Sequence, residues 1–185
     1  MWHDSGLVGG SRFIVFATDE DVARLRSCEI IGVDGTFATQ PRHFAQLWVL
    51  HGFCNNRFVP LVYVLCSHKT TAVYESILRS LGNLLVQVVL MDFERPERNA
   101  FENVFIGVIL ICCHFHQSQA ISKAWSNSGI KVKDLKKSPA LRHCLRRFLY
   151  IGFVRKDDLF ESYEELIEEL KTLLGPESNA VAEIV

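Results

Sequence analysis

The sequence lacks several features that would place it in a functional class at once. Its formal net charge is −1 at pH 7, so no overall charge draws it to nucleic acid or to an anionic membrane. No apolar run is long enough for a bilayer-spanning helix, and the first ten residues contain no apolar core of signal-peptide length. We therefore expect a soluble protein inside the cell.

Internal repeats, low-complexity segments and a regular cysteine framework are also lacking. The six cysteines are irregularly spaced and several lie in apolar runs, which favours reduced and mostly buried thiols. With 185 residues, of which 49% are hydrophobic, the chain can bury one sizeable core. A single globular domain is predicted.

Charge is present but unevenly divided along the chain. Residues 117–156 are rich in Lys and Arg, with Asp134 as the only acid, whereas residues 157–185 are acidic, with Lys171 as the only base. Two interpretations stay open: the basic segment faces DNA, or the basic and acidic segments pair with each other. The candidate DNA-binding residues are Lys136, Lys137, Arg142, Arg146 and Arg147.

Hydrophobic periodicity predicts an α/β fold. A core of order βββαβαβα has its strands at residues 29–37, 43–53, 58–66, 87–91 and 108–113. An antiparallel meander followed by alternating strand and helix builds a mixed sheet, in which the first of these strands can lie beside the fourth. The predicted organisation is a loose N-terminus at 1–11, a core at 12–128, a basic connection with C-terminal helices at 129–174, and a disordered tail at 175–185.

Two of these predicted strands end on an aspartate. Asp34 follows a β-branched apolar run and precedes Gly35, and Asp92 follows the run Val88–Met91. If the two strands are neighbours, the carboxylates lie side by side and need a shared cation, which favours Mg²⁺ or Mn²⁺ and phosphoryl transfer. The simpler alternative is that Asp34 begins a turn and Asp92 caps the next helix.

A C-x-x-H pattern at Cys113 and His116 follows the last predicted strand of the core. It provides two potential zinc ligands, but a closed structural site needs four, and no second pair stands at finger-like spacing; the adjacent His143 and Cys144 are weak partners. Zinc is therefore disfavoured. A buried thiol with a hydrogen-bonded histidine is the favoured interpretation, and a cysteine nucleophile with a histidine base is a further one.

Taken together, the motifs resemble the transposase domain of Mutator-like elements (MULE), a branch of the DDE transposases with a ribonuclease H-like fold. The resemblance runs from about Phe13 to about Trp125. The segments that carry it are Asp34-Gly35-Thr36-Phe37 with Pro41, Phe44-Ala45-Gln46-Leu47, His51-Gly52, Val59-Pro60-Leu61-Val62-Tyr63, Tyr74, Asp92-Phe93-Glu94, Asn99-Ala100, Cys113-His114-Phe115-His116 and Gln119-Ala120.

The resemblance implies a site and a reaction. Asp34 and Asp92 would be the first two catalytic, metal-binding acids, and Cys113 and His116 would belong to the active region. The third acid is not selected by a local motif; Glu165 is our candidate among the glutamates of residues 161–169. The reaction would be hydrolysis of a DNA strand at the element's end and attack of the 3′-hydroxyl on target DNA, with Mg²⁺ or Mn²⁺.

The implied partners are terminal inverted repeats and target DNA, which places the protein in the nucleus, and a homo-oligomer is left open. Because the third acid is unassigned, a second interpretation stands beside the first. In it the chain is a catalytically inactive, repurposed module that keeps the transposase fold and binds DNA or protein.

Overall fold

The computed structural model describes residues 1–36, 40–92, 94–130 and 132–175. The strands are β1 His3–Asp4, β2 Phe13–Phe16, β3 Ile30–Thr36, β4 Gln46–Cys54, β5 Arg57–Cys66, β6 Val88–Met91 and β7 Ile109–Cys112. The helices are α1 Asp19–Arg26, α2 Thr71–Ser80, α3 Arg95–Val104, α4 His114–Asn127, α5 Val132–Lys137, α6 Pro139–Tyr150 and α7 Leu159–Leu174. Two single 3₁₀ turns, Ile151–Phe153 and Lys156–Asp158, lie between α6 and α7.

All of these strands form one mixed sheet in the order β1-β2-β5-β4-β3-β6-β7. β3, β4 and β5 make the predicted antiparallel meander, and β6 lies against β3 in parallel, followed by β7 in parallel with β6. The predicted α/β, ribonuclease H-like class of fold is confirmed, including the neighbouring position of β3 and β6.

Local sequence explains several element boundaries. The Thr18 hydroxyl accepts a hydrogen bond from the Asp21 amide at 3.0 Å and so caps α1, as its position before the helix predicts. Asn55 and Asn56 join β4 to β5, and both have positive φ, 50° and 60°. A two-residue hairpin loop needs such angles because its backbone twist must match the right-handed twist of the two strands. Pro60 lies in β5 beside an irregularity in the β4–β5 register. Proline has no amide hydrogen to donate, and such an irregularity is a position where a strand tolerates that loss.

The prediction of a loose N-terminus is wrong. Residues His3 and Asp4 form a strand that pairs with β2, and the Asp4 carboxylate accepts two hydrogen bonds from the Arg12 guanidinium. This pairing depends on a partner strand that only the folded chain supplies, so periodicity over the first residues does not reveal it. The predicted disordered tail lies outside the described residues except for Gly175, which ends α7 with φ of 90°.

Backbone contacts divide the chain into two compact units, residues 1–113 and 114–185, rather than one domain. The first unit contains the sheet with α1, α2 and α3, and its core is built from Trp48, Leu50, Val64, Ile77 and Phe101 with their neighbours. The second unit has a separate core around Trp125, Cys144, Phe148 and Leu170. The boundary therefore falls before α4 and not at residue 128, because the buried Trp125 of α4 packs with α6 and α7.

The second unit also contains a helix that the sequence does not reveal. α5, Val132–Lys137, lies in the segment predicted as a lysine-rich connection. Its six residues are too few to show a helical hydrophobic period, so only packing beside α6 reveals it.

Candidate active site at the acidic edge of the sheet

The parallel pairing of β3 with β6 determines the place of the two aspartates. Ile30 pairs with Val88, Ile31 with Val89 and Gly32 with Leu90, a constant offset of 58 residues (88 − 30). Two residues beyond the last of these pairs, the same offset leads from Asp34 in β3 to Asp92, the residue that follows β6 (34 + 58). Neighbouring strands run roughly 5 Å apart, so the two carboxylates belong to one edge of the sheet.

Asp34 is exposed, Asp92 is half-buried, and both follow buried β-strand positions. Val33 and Met91, the residues just before them, are 5% and 1% exposed. Buried strand residues hold the backbone on either side of the pair, which gives the two carboxylates a rigid base at the surface. The prediction that these strands place Asp34 and Asp92 on the same edge agrees with the sheet topology.

Glu97 is a third acid at this edge that the sequence analysis missed. It lies on α3, only 3% exposed, and its Oε1 accepts a hydrogen bond from Trp48 Nε1 of β4. Burial raises the pKa of Glu97 to about 8, and the charges of Glu94, Asp92 and Asp34 act in the same direction, while the Trp48 hydrogen bond opposes them. The raised pKa favours the protonated form of Glu97, and the charges of both aspartates contribute to the shift.

Glu94 precedes α3 and is held by two groups. Lys69 Nζ makes an ion pair with Glu94 Oε1, and the Tyr74 hydroxyl donates to Glu94 Oε2 at 3.4 Å. Tyr74 in turn accepts a hydrogen bond from Gln46 Nε2 at 2.5 Å, and both Gln46 and Tyr74 are fully buried. A buried polar chain thus links β4 and α2 to the acidic edge.

A signal for these buried polar residues does exist in the sequence. Gln46 precedes Trp48 and Leu50 at a spacing of two, so it occupies the core face of β4, where a polar side chain needs a partner. Glu97 shares the apolar face of α3 with Ala100 and Phe101, at the i, i+3 and i+4 positions. In each case a polar residue at a core position marks a buried network.

The described residues contain no group of three or more His, Cys, Asp or Glu side chains arranged to hold one metal ion. The acids at this edge are Asp34 on β3, Asp92 after β6 and Glu97 on α3, and the charges of both aspartates contribute to the raised pKa of Glu97. The donor chemistry is nevertheless that of a hard divalent cation, because the pair offers only carboxylate oxygens.

The residues of the C-x-x-H pattern fall on either side of the boundary between the two units. Cys113 ends the first unit, where its amide donates to the Met91 carbonyl at 2.7 Å and so extends the β6–β7 ladder. His116 lies in the first turn of α4, in the second unit. Their part in an active region stays a prediction. Within the second unit, His114 Nε2 contacts the Leu149 carbonyl at 3.0 Å.

Glu165, the candidate third acid, lies exposed on α7 in the second unit. Its carboxylate is 3.6 Å from Arg147 Nη2, and Glu169 lies 2.5 Å from Arg147 Nη1. For Arg147, the structure thus supports the interpretation in which the basic and acidic segments pair with each other. The role of Glu165 in catalysis stays a prediction.

The other candidate DNA-binding residues are all exposed. Lys136 and Lys137 lie in the last turn of α5, and Arg142 and Arg146 lie one helical turn apart on α6. Residues spaced by four on a helix share a face, so these two arginines present their charges together. Among the described residues, none of the helices combines the length and apolar character that crossing a bilayer requires.

Comparison with known families gives one finding for this chain. Residues 30–120 match the model of the MULE transposase domain, a stretch that begins at β3 and ends within α4. No match was found among curated proteins. The matched stretch contains Asp34, Asp92, Glu97, Cys113 and His116, while Glu165 and the candidate DNA-binding residues lie beyond it. Residues 30–120 are thus similar to the MULE transposase domain, as the sequence motifs predict.

Proposed function

We propose that the chain is the catalytic core of a MULE-type transposase, which cleaves and transfers DNA strands with the help of Mg²⁺ or Mn²⁺. The observation that carries the proposal is the parallel pairing of β3 with β6, two strands whose carboxyl ends carry Asp34 and Asp92 at one edge of the sheet. The match of residues 30–120 to the MULE transposase domain supports the choice of DNA as substrate.

The electrostatics of the edge support a divalent cation. The charges of Glu94, Asp92 and Asp34 all help to raise the pKa of Glu97, so negative charge is concentrated there. A divalent cation bound by Asp34 and Asp92 would offset that charge, activate a water or hydroxyl and stabilise the leaving oxygen of a phosphodiester.

The protein's own residues have separable tasks in this proposal. Asp34 and Asp92 supply the oxygen ligands, and burial of Glu97 favours its neutral form, which limits the negative charge near the phosphate. Lys69 neutralises Glu94 through their ion pair. Lys136, Lys137, Arg142 and Arg146 would contact DNA phosphates, and Glu165 is the candidate for completing the ligand set.

The experiment measures both Mn²⁺ binding and DNA nicking. Titration calorimetry with MnCl₂ should give a site that Asp34→Asn and Asp92→Asn each weaken by tenfold or more, on the order of 1.4 kcal/mol or greater. Nicking of DNA that carries terminal inverted repeats should need Mn²⁺ and disappear in both variants. Asp157→Asn, the same change at an exposed position of the second unit, is the control and should behave as the unaltered protein does.

Nicking that persists in Asp34→Asn would contradict the catalytic proposal. Glu165→Gln tests the third acid separately. If Glu165 completes the site, this variant should lose nicking while Mn²⁺ still binds to the aspartates.

A second candidate function is a non-catalytic module that keeps the fold and binds DNA or protein. It is favoured by the finding that, within the part of the chain that is described, no third side chain joins Asp34 and Asp92 around one ion. This module would bind DNA in a salt-dependent manner without Mn²⁺-dependent cleavage, and replacing Arg142 and Arg146 by Gln should reduce the salt slope. Failure to bind DNA at low salt would count against both DNA-based proposals.

A further inference from the structure

Two cysteines far apart in sequence lie in contact within the first unit. Cys28 follows α1 and Cys54 ends β4, and their Sγ atoms are 3.7 Å apart. Both are free thiols, separated by 26 positions in the chain. A disulfide needs its sulfurs at about 2.0 Å, so bond formation requires the two side chains to move closer together.

Gly52 leaves the space that this contact occupies. A Cβ added at Gly52 would lie 2.7 Å from Cys28 Sγ and 2.7 Å from Leu61 Cδ1, and 3.6 Å from Cys54 Sγ. Any larger residue at this position would displace Cys28. The local backbone is therefore compatible with two sulfurs in contact only because residue 52 has no side chain.

The two thiols differ in their access to solvent. A cavity of about 390 Å³ opens over the pair and is lined by Ser27, Cys28, Glu29, Ile30, Phe53 and Cys54. Cys28 is only 6% exposed, whereas Cys54 is half-buried. Burial, together with the hydrogen-bonding contact to Cys54, raises the pKa of Cys28 to about 11, which makes it a poor first nucleophile.

We propose that Cys28 and Cys54 form a site of reversible thiol–disulfide exchange with a small disulfide that enters this cavity. The Cys54 thiolate attacks one sulfur of the small disulfide, and the mixed disulfide forms as one small thiolate leaves. Cys28 then gives its proton to solvent and attacks Cys54 Sγ, which releases the second small thiolate. The two protein thiols lose two electrons in total, and the small disulfide gains them.

The pair lies away from the acidic edge along β3. Cys28 stands before Ile30 at the start of this strand, whereas Asp34 lies near its other end. The cross-link would tie the connection between α1 and β3 to the end of β4. Its formation does not depend on Mn²⁺ binding or DNA cleavage, so the two proposals can fail separately.

The test uses the full chain and glutathione as the probe. The protein is equilibrated in oxidised and reduced glutathione, trapped with an alkylating reagent, digested and analysed by mass spectrometry. The expected product is a Cys28–Cys54 cross-linked peptide that is two hydrogen atoms lighter than the two free peptides and returns to them on reduction. Cys28→Ser should stop the reaction at glutathione on Cys54, and Cys54→Ser should leave Cys28 reduced.

Cys112→Ser is the matched control, because it removes an exposed thiol of β7 and leaves the pair intact. It should form the cross-link in the same yield as the unaltered protein. The proposal is overturned if the unaltered protein, under strongly oxidising glutathione, adds glutathione at Cys112 while Cys28 and Cys54 stay reduced. It is overturned equally if, in the unaltered protein, Cys54 stays bound to glutathione and no disulfide with Cys28 forms. Both results are obtained with the unaltered protein, so neither requires that a variant folds.

Discussion

At the scale of single residues, Glu97 is the most informative side chain of the acidic edge. An ionised carboxylate at 3% exposure would be costly, so burial favours the protonated form of Glu97, which accepts a hydrogen bond from Trp48. Because its pKa is about 8, the charge of Glu97, and with it the total charge of the acidic edge, changes with pH near neutrality. Its neighbours Asp34 and Asp92 are among the causes, which ties this residue to the candidate site.

The pH dependence of stability follows from this shift. The Glu97 pKa is about 4.3 in an unfolded chain and about 8 in the native protein, so between these values the native state binds more protons. The free energy of unfolding should therefore fall as the pH rises through this window, by an amount on the order of 3–5 kcal/mol. Glu97→Gln should remove this fall, as shown by urea titrations from about pH 5 to about pH 8.

Glu102→Gln is the control for that prediction. It makes the same change on the same helix at an exposed position, where Glu102 pairs with Arg98 at 3.1 Å. This variant should keep the pH dependence of the unaltered protein and change stability by about 0.5 kcal/mol or less. An unchanged pH dependence in Glu97→Gln would show that Glu97 is already ionised in the native protein.

At the scale of elements, β4 and α2 are joined to the acidic edge through hydrogen bonds inside the core. Gln46 of β4 donates to Tyr74 of α2, which donates to Glu94 just before α3. The Tyr74 ring also packs against Trp48, with centroids 5.1 Å apart. The helix boundary at residue 94 is thus held in place by side chains from two other elements.

Tyr74→Phe removes only the hydroxyl of this chain of hydrogen bonds. The Gln46 amide then loses its partner in a fully buried position, so the free energy of unfolding should fall by about 1–3 kcal/mol in urea titrations. Tyr63→Phe, on β5 and 40% exposed, is the matched control and should change stability by less than about 0.5 kcal/mol. Equal effects of the two changes would mean that the Gln46–Tyr74 hydrogen bond contributes nothing to stability.

At the scale of the whole molecule, the described residues form two cores, and no buried residue among them belongs to both. The MULE match covers most of the first unit and only the beginning of the second. The helices that carry the candidate DNA-binding residues and Glu165 thus have a core of their own. We expect a mutation in that core to change the stability of the second unit without changing that of the first.

Leu170→Ala tests the separation of the two cores. Leu170 is fully buried on α7, and its truncation should destabilise the second unit by about 2–5 kcal/mol. Hydrogen exchange followed by mass spectrometry should show faster exchange in α6 and α7, with β3, β4 and β6 unchanged. Phe160→Ala, on the same helix but 74% exposed, should leave both units unchanged. Faster exchange in β3 and β6 of Leu170→Ala would show that the units unfold together.

The sequence by itself determined the elements whose signals are local. Period-two and period-3.6 patterns predict the strands of the meander and α7, and Thr18 predicts the start of α1. A shared site for Asp34 and Asp92, which follow apolar runs, stays a prediction. The MULE resemblance of the core, which the family match supports, rests on the same short motifs.

Only the tertiary structure decided the features that depend on partners distant in sequence. The β1–β2 pairing, the grouping of α4 with α6 and α7, the burial of Glu97 under Trp48 and the contact of Cys28 with Cys54 all join residues that no local pattern relates. A pattern along the chain records which face of an element is buried, but not which element covers it. For that physical reason the sequence predicts the two aspartates and indicates that Glu97 occupies a core position, while the Trp48 donor and the raised pKa of Glu97 are visible only in the folded protein.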